Sequence, residues 1–400
     1  IMIYMNGKKN TFLLLLFIVV TGSLTAQKKE TNRYTKVDNL VAQISSDQGE
    51  SVKSLSDFIK STFDNEEDRI RAIFSWIAFN IAYDTDNMFN VDINETDQDK
   101  IFKALKNKRG ICENYSLLFD TLCCNVGIQA EIIQGYTKQN DIVDNLPHSW
   151  NAANINNKWY LFDPTWGAGG VKDGKFTKQL NDRYYKVESS EMIKTHMPFD
   201  YLWQFLEYPV NTAEFYAGVT KGDKKRGMFT FTDSIAVYNS QTKNDQLKSV
   251  VYRVEKNGIK NMMTIEFLKR IKTEIENNRI NMVADQYNAA IDNYNGGIKL
   301  FNEFINYRNN KFSPQKEDSE IQRMLDSAME KLNMSKKQLL EVKIMGNRAG
   351  VSVDDVINSN EQALTALMEQ QEWLKSYFKK NKLARKLMFQ KVSWFGIPLN

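Results

Sequence analysis

The stretch HSWNAANINNKWYLFDPTW, residues 148–166, constrains the fold more than any other, because it can fold back on itself in one register. Asn156-Asn157 reads as a two-residue hairpin turn, since asparagine tolerates the positive φ that such a turn demands. With Ile155 paired to Lys158, Trp150 falls opposite Asp163 and His148 opposite Thr165. His148 and Asp163 then become diagonal neighbours on one face, about 7–8 Å apart at Cα. An imidazole–carboxylate bond across that gap would fix the ring's tautomer and stabilise its protonated form. The surrounding segment, Gly135 to Pro209, holds four of the six prolines among short alternating runs, the texture of strands and loops.

On either side the spacing turns helical. In DFIKSTFDNEEDRIRAIFSWIAFNIAYDTD, residues 57–86, the apolar positions Ile70, Ile73, Phe74, Ile77 and Ile81 define one buried face, and the run stops at Tyr83-Asp84, which reads as helix-end packing. From about Asn261 onward, Val283, Tyr287, Ala290, Tyr294, Ile298, Phe301 and Ile305 step by three or four, as do Ile321, Leu325, Ala328 and Leu332, then Ala363, Leu367, Leu374 and Phe378. FSPQKED and GNRAGVSVDD break this into three long antiparallel helices. Between sheet and bundle, MFTFTDSIAVYNS and SVVYRV suggest two or three further strands within 216–260.

The start of the chain differs from the rest. Lys8 and Lys9 precede nine consecutive apolar residues, Phe12 to Val20, and small residues lead to Ala26. That is the layout of a secretory signal peptide cleaved before Gln27, and the run is too short for a mature membrane span. The expectation is an exported chain, periplasmic or secreted, of bacterial type. Loss of Lys8 and Lys9 with no acid lowers the formal charge from +4 to +2, which gives no reason to expect nucleic acid as a partner. Export would favour disulfides, yet Cys112, Cys123 and Cys124 are an odd set. On one helix Cys112 and Cys123 stand roughly 16 Å apart, too far to bridge. The vicinal pair reads as helix core.

RGICENYSLLF, residues 109–119, places Cys112 just after a glycine and at the mouth of an amphipathic run. A helix start offers backbone N–H groups and the positive end of the dipole, which favour a thiolate. Cys112, His148 and Asp163 together are the parts of a cysteine nucleophile, its base and the group that orients the base. Each alone has a plainer reading, as a capping-turn thiol, a packed polar residue and a turn former before Pro164. His196, in THMPFD, has no local carboxylate at the spacing of a triad and reads as structural or solvent-facing. Two histidines without clustered acids or cysteines argue against a metal site, and neither a phosphate loop nor a dinucleotide fingerprint occurs. No cofactor is expected.

RAIFSWIAFNIAYD, RGICENYSLLF, GYTK, HSWNAANINNKWYLFDPTWGAG and MPFDYLWQFLEYP together resemble the transglutaminase-like superfamily of papain-like thiol enzymes, in particular a secreted bacterial branch akin to the kyphoscoliosis-peptidase group. The resemblance covers about residues 55 to 210. It implies Cys112 as nucleophile, His148 as base and Asp163 as its orienter. Many relatives carry glycine two residues after the cysteine, where this chain has Asn114. The Cys112 backbone N–H is the physically grounded oxyanion donor, with Trp76 as a guess at an indole donor.

The expected fold is α+β: signal peptide 1–26, lead-in 27–50, a papain/transglutaminase-like domain 51–215 in which a cysteine-bearing helix packs on an antiparallel sheet, a small strand region 216–260 and a helical domain 261–400. The expected function is thiol-dependent acyl transfer from protein or peptide amides, leaning to hydrolysis over amine transfer. The alternative is a catalytically silent scaffold that engages an envelope partner through the C-terminal helices.

Overall fold

The computed structural model describes residues 33–89, 95–346 and 353–389; the signal peptide read at 1–26 lies outside them. The chain divides into two compact units: one runs to Gln129 and takes in Pro164–Asp182, the other comprises Ala130–Asp163 and everything from Arg183.

The first unit holds α1 (Thr35–Val41), α2 (Val52–Thr62), α3 (Glu66–Asn80), β1 (Ala82–Tyr83), α4 (Asp97–Asn107), β2 (Arg109–Gly110) and α5 (Cys112–Asn125). The helical spacing predicts one helix through the α2–α3 segment; the structure breaks it at Phe63, where the chain becomes extended. Asn65 caps the new start, its Oδ1 accepting from the Asp68 N–H at 2.9 Å, and Glu66, Glu67 and Asp68 place negative charge on the first turn. Helix α3 is buried from Ile70 through Ala78. Its Arg71, fully buried, donates to Asp38 at 2.7 and 2.8 Å and to Asp182 at 2.5 Å, so residues far apart in sequence are held by one charge that burial leaves no other means to neutralise.

In the second unit a four-stranded antiparallel sheet has the order β5–β4–β3–β6, with β3 Ala130–Gln139, β4 Ile142–Ile155, β5 Lys158–Phe162 and β6 His196–Pro198. The β4–β5 register is the one read from sequence, Ile155 opposite Lys158 and Asn151 opposite Phe162, with Asn156 and Asn157 at φ 50° and 63°. The ladder ends at Phe162, so Trp150 and His148 are not paired with Asp163 and Thr165. Pro164 has no N–H to continue a ladder and opens a helical turn, 164–168. Gly135, on β3 opposite His148, is required by close approach: a Cβ there would lie 2.1 Å from the Met197 carbonyl oxygen and 2.6 Å from the Trp150 ring.

The strands expected within 216–260 are helices, α6 (Phe231–Ser240) and α7 (Lys243–Asn257). The β-branched and aromatic content suggested strand, but Leu247, Val250 and Val254 repeat at helical spacing and are the buried face. Thr242 caps α7 through a bond from the Asp245 N–H, and Gly258 at φ 95° ends it. Helices α8 (Met262–Asn309), α9 (Asp318–Gly346) and α10 (Asp354–Phe378) form the expected bundle. Arg279 bonds the Met345 carbonyl and Asn293 bonds Gln338, while Lys336 pairs with Glu361 and Lys343 with Asp354. Rising positions on one helix meet falling ones on the next, so the three are antiparallel.

Candidate active site

Cys112 is the first residue of α5, half-buried, and is in no disulfide. The N-cap, Ile111, is extended at φ −97° and ψ 178° and lacks a side-chain acceptor. Asn114 compensates: its Oδ1 accepts from the Ile111 N–H at 2.8 Å and its Nδ2 donates to the Lys100 carbonyl at 3.1 Å. The departure from glycine therefore supplies half of a capping box. It also explains Gly110, where a Cβ would lie 2.6 Å from that of Asn114; close approach, not a turn, requires this glycine. Tyr115 Oη donates to the Ile81 carbonyl at 2.8 Å, tying the start of α5 to the end of α3.

His148 and Asp163 come together within the second unit. His148 Nε2 lies 2.8 Å from Asp163 Oδ2, with the imidazole side chain 10% exposed and the carboxylate fully buried. Strand β4 holds the ring, stacked on Trp150 at 6.0 Å between centroids, and the Asp163 N–H is anchored by the Tyr184 carbonyl at 2.9 Å. Burial pushes the Asp163 carboxyl up, but the charge and hydrogen bond of His148 and the bond from His196 outweigh it and hold the group well below the usual carboxylate range.

Of the two readings of His196, structural and solvent-facing, only the first agrees with its burial. It is fully buried, not solvent-facing, and its Nε2 lies 3.0 Å from the same Asp163 Oδ2. Its Nδ1 is 2.8 Å from Thr195 Oγ1, and its ring meets the edge of Trp150 at 5.1 Å. Burial pushes the imidazole down, more than Asp163 raises it. No local signal marks His196, because the antiparallel β3–β6 pairing, Thr137 opposite His196, is what carries it to the site. The ligand-capable atoms of His148, Asp163 and His196 lie within 4.8 Å of one another. Side chains 15 and 33 positions from Asp163 thus converge on it, which the wide spacing along the chain concealed. The direct Nε2···Oδ2 contacts also serve each ring with a carboxylate acceptor.

The remaining candidates are structural. Trp76 is 2% exposed; Lys108 Nζ lies 5.0 Å over its ring, and a Cβ on Gly49 would come 2.8 Å from it. Tyr83 pairs with Gly110 in the two-stranded parallel sheet, and Asp84 bridges to Arg109 at 3.1 Å, as helix-end packing predicts. Cys123 is core, but Cys124 is exposed.

Residues 53–164 match the family profile of the transglutaminase-like superfamily. The chain carries a transglutaminase-like domain. Human kyphoscoliosis peptidase is 28% identical over 205 residues, 48% of this chain and 30% of that protein. The LIM and transglutaminase domain protein ltd-1 of Caenorhabditis elegans is 23% identical over 206 residues, 46% of this chain and 27% of that one. The chain thus spans under a third of the length of these curated relatives. A solved structure described as a TGase is 17% identical with a TM-score of 0.23, covering 41% of this chain and 40% of that one. The transglutaminase-like match contains Cys112, His148 and Asp163; His196 lies beyond its end.

Proposed function

We propose that the chain is an exported thiol hydrolase of protein or peptide amides, with Cys112 as nucleophile, His148 as base and Asp163 as the residue that orients His148. The observation that carries this reading is the 2.8 Å bond between His148 Nε2 and a buried, ionised Asp163. An acceptor-only carboxylate requires the proton on Nε2, so Nδ1 is the nitrogen that exchanges protons with thiol and substrate.

In this mechanism the Cys112 thiolate adds to the amide carbonyl carbon. The C–N bond then breaks as His148 gives its Nδ1 proton to the departing amine, leaving a thioester. Water, deprotonated by His148, adds to the thioester carbon; the C–S bond breaks, and a carboxylic acid and the thiolate are released. The N–H groups of the first turn of α5 have no intrahelical acceptors and serve as oxyanion donors through the Cys112 backbone. An amine in place of water would turn the same thioester into a cross-link. Export rests on the pattern of residues 1–26.

The test combines turnover with labelling. Brief iodoacetamide treatment near neutral pH, followed by peptide mapping, is expected to modify Cys112 ahead of both buried Cys123 and exposed Cys124. Amide cleavage that persists in Cys112→Ala would refute the mechanism.

A further inference from the structure

We infer that His196 is a positioning residue, a second imidazole that bonds the same Asp163 oxygen as His148 and thereby sets how tightly His148 keeps its proton. The inference rests on the reading of His148 as the base. Asp163 Oδ2 receives His148 Nε2 at 2.8 Å and His196 Nε2 at 3.0 Å. An ionised carboxylate only accepts, so each ring must present an N–H to it. For His196, buried and kept neutral, a proton on Nε2 leaves Nδ1 as an acceptor, and the neighbour within reach is the Thr195 hydroxyl at 2.8 Å. The Met192 carbonyl competes for the one hydroxyl proton only at 3.5 Å, so Thr195 donates to Nδ1 and selects the Nε2–H tautomer. The relay Thr195 Oγ–H to His196 to Asp163 delivers a donor to the carboxylate without adding charge.

That donor has a chemical consequence. Each hydrogen bond accepted by Asp163 weakens its attraction for the His148 proton, so His196 makes His148 a readier donor to a leaving group than a carboxylate with one partner would. Ionisable groups facing this site among the described residues include Asp144, on the same strand as His148 and felt by His196, and Tyr184, whose ring lies 6.2 Å from that of His196 and which senses Asp163.

The chain has two histidines, so ¹⁵N-histidine labelling of the full chain gives four ring nitrogens, assignable with one variant. His196 is expected to remain a neutral Nε2–H tautomer at pH 7 and above. In His196→Ala the His148 midpoint should rise by on the order of half a unit. In His196→Gln, whose amide places an N–H near the position of Nε2, it should return toward wild type. Thr195→Val keeps the ring but removes its hydroxyl donor, and should shift His196 toward the Nδ1–H tautomer; it and the Gln variant decide the matter if the Ala variant does not fold. A His196 charged at pH 7 and above or protonated on Nδ1 in the wild type overturns the inference, as does a His148 midpoint indifferent to His196. None of these readings requires turnover. Failure of amide cleavage with the expected tautomers would count against the enzyme alone, and cleavage with the wrong tautomer against this role alone.

Discussion

At the sheet, Asp163 is fully buried and accepts from two imidazoles. In the bundle, Asn360 on α10 is equally buried, yet its Oδ1 and Nδ2 have no hydrogen-bond partner among the described residues, and nor does Ser335 Oγ on α9. Desolvating a polar group is costly in both places. At the sheet the cost is offset by charge-assisted bonds that also fix the direction of each ring. In the bundle nothing offsets it, and no geometry is gained. Burial of a polar group alone is therefore a poor marker of function; mutual satisfaction within a cluster is a better one.

The sharpest way to break this contrast is to remove the group that the sheet cluster is proposed to serve. Cys112→Ala is expected to abolish amide turnover while changing thermal stability little, since a half-buried side chain at a helix start loses little packing. Activity equal to wild type would end the catalytic reading of the cluster. Next, Asp163→Asn keeps the shape but presents a neutral amide to His148. Turnover should fall by roughly 10³–10⁴-fold, through loss of the correct tautomer, without disappearing. A change below tenfold would mean that Asp163 only packs.

The bundle should respond in the opposite sense. Asn360→Leu, of similar volume, removes two unpartnered polar atoms, and urea denaturation should show a gain of about 1–2 kcal/mol. A loss of that size would show that the amide has a partner it needs. The smallest expected effect concerns Asp120 on α5, whose carboxyl burial pushes up to about 6. Its folded pKa lies above the unfolded value near 4, so the folded state holds the proton more tightly and stability falls as pH rises from about 4 to 6. With the group partly exposed and screened, the slope is modest. Asp120→Asn should flatten it in melts taken across that window, and an unchanged slope would assign it to other groups.

Much of this protein is local and was therefore legible. The β4–β5 register followed from Asn156-Asn157 and an alternation of period two, and the helix at Cys112 from the pattern after Gly110. The helical run from about Asn261 and the breaks at FSPQKED and GNRAGVSVDD followed from periodicity and turn-forming residues. These depend on interactions between residues a few positions apart, which the order of side chains specifies directly. At α6 and α7 composition points to strand but spacing to helix, and the helix wins, because β-branched residues accept a helix when a tertiary surface covers their 3.6-residue face.

What the sequence by itself determined, then, was which residues can form each turn, cap and hairpin, together with the chemistry that Cys112, His148 and Asp163 carry. Only the tertiary structure decided that His196 shares Asp163. That contact joins residues 33 positions apart through the pairing of β6 on the far side of β3, and pairing between distant strands is set by the packing of whole faces, which no short window of sequence contains.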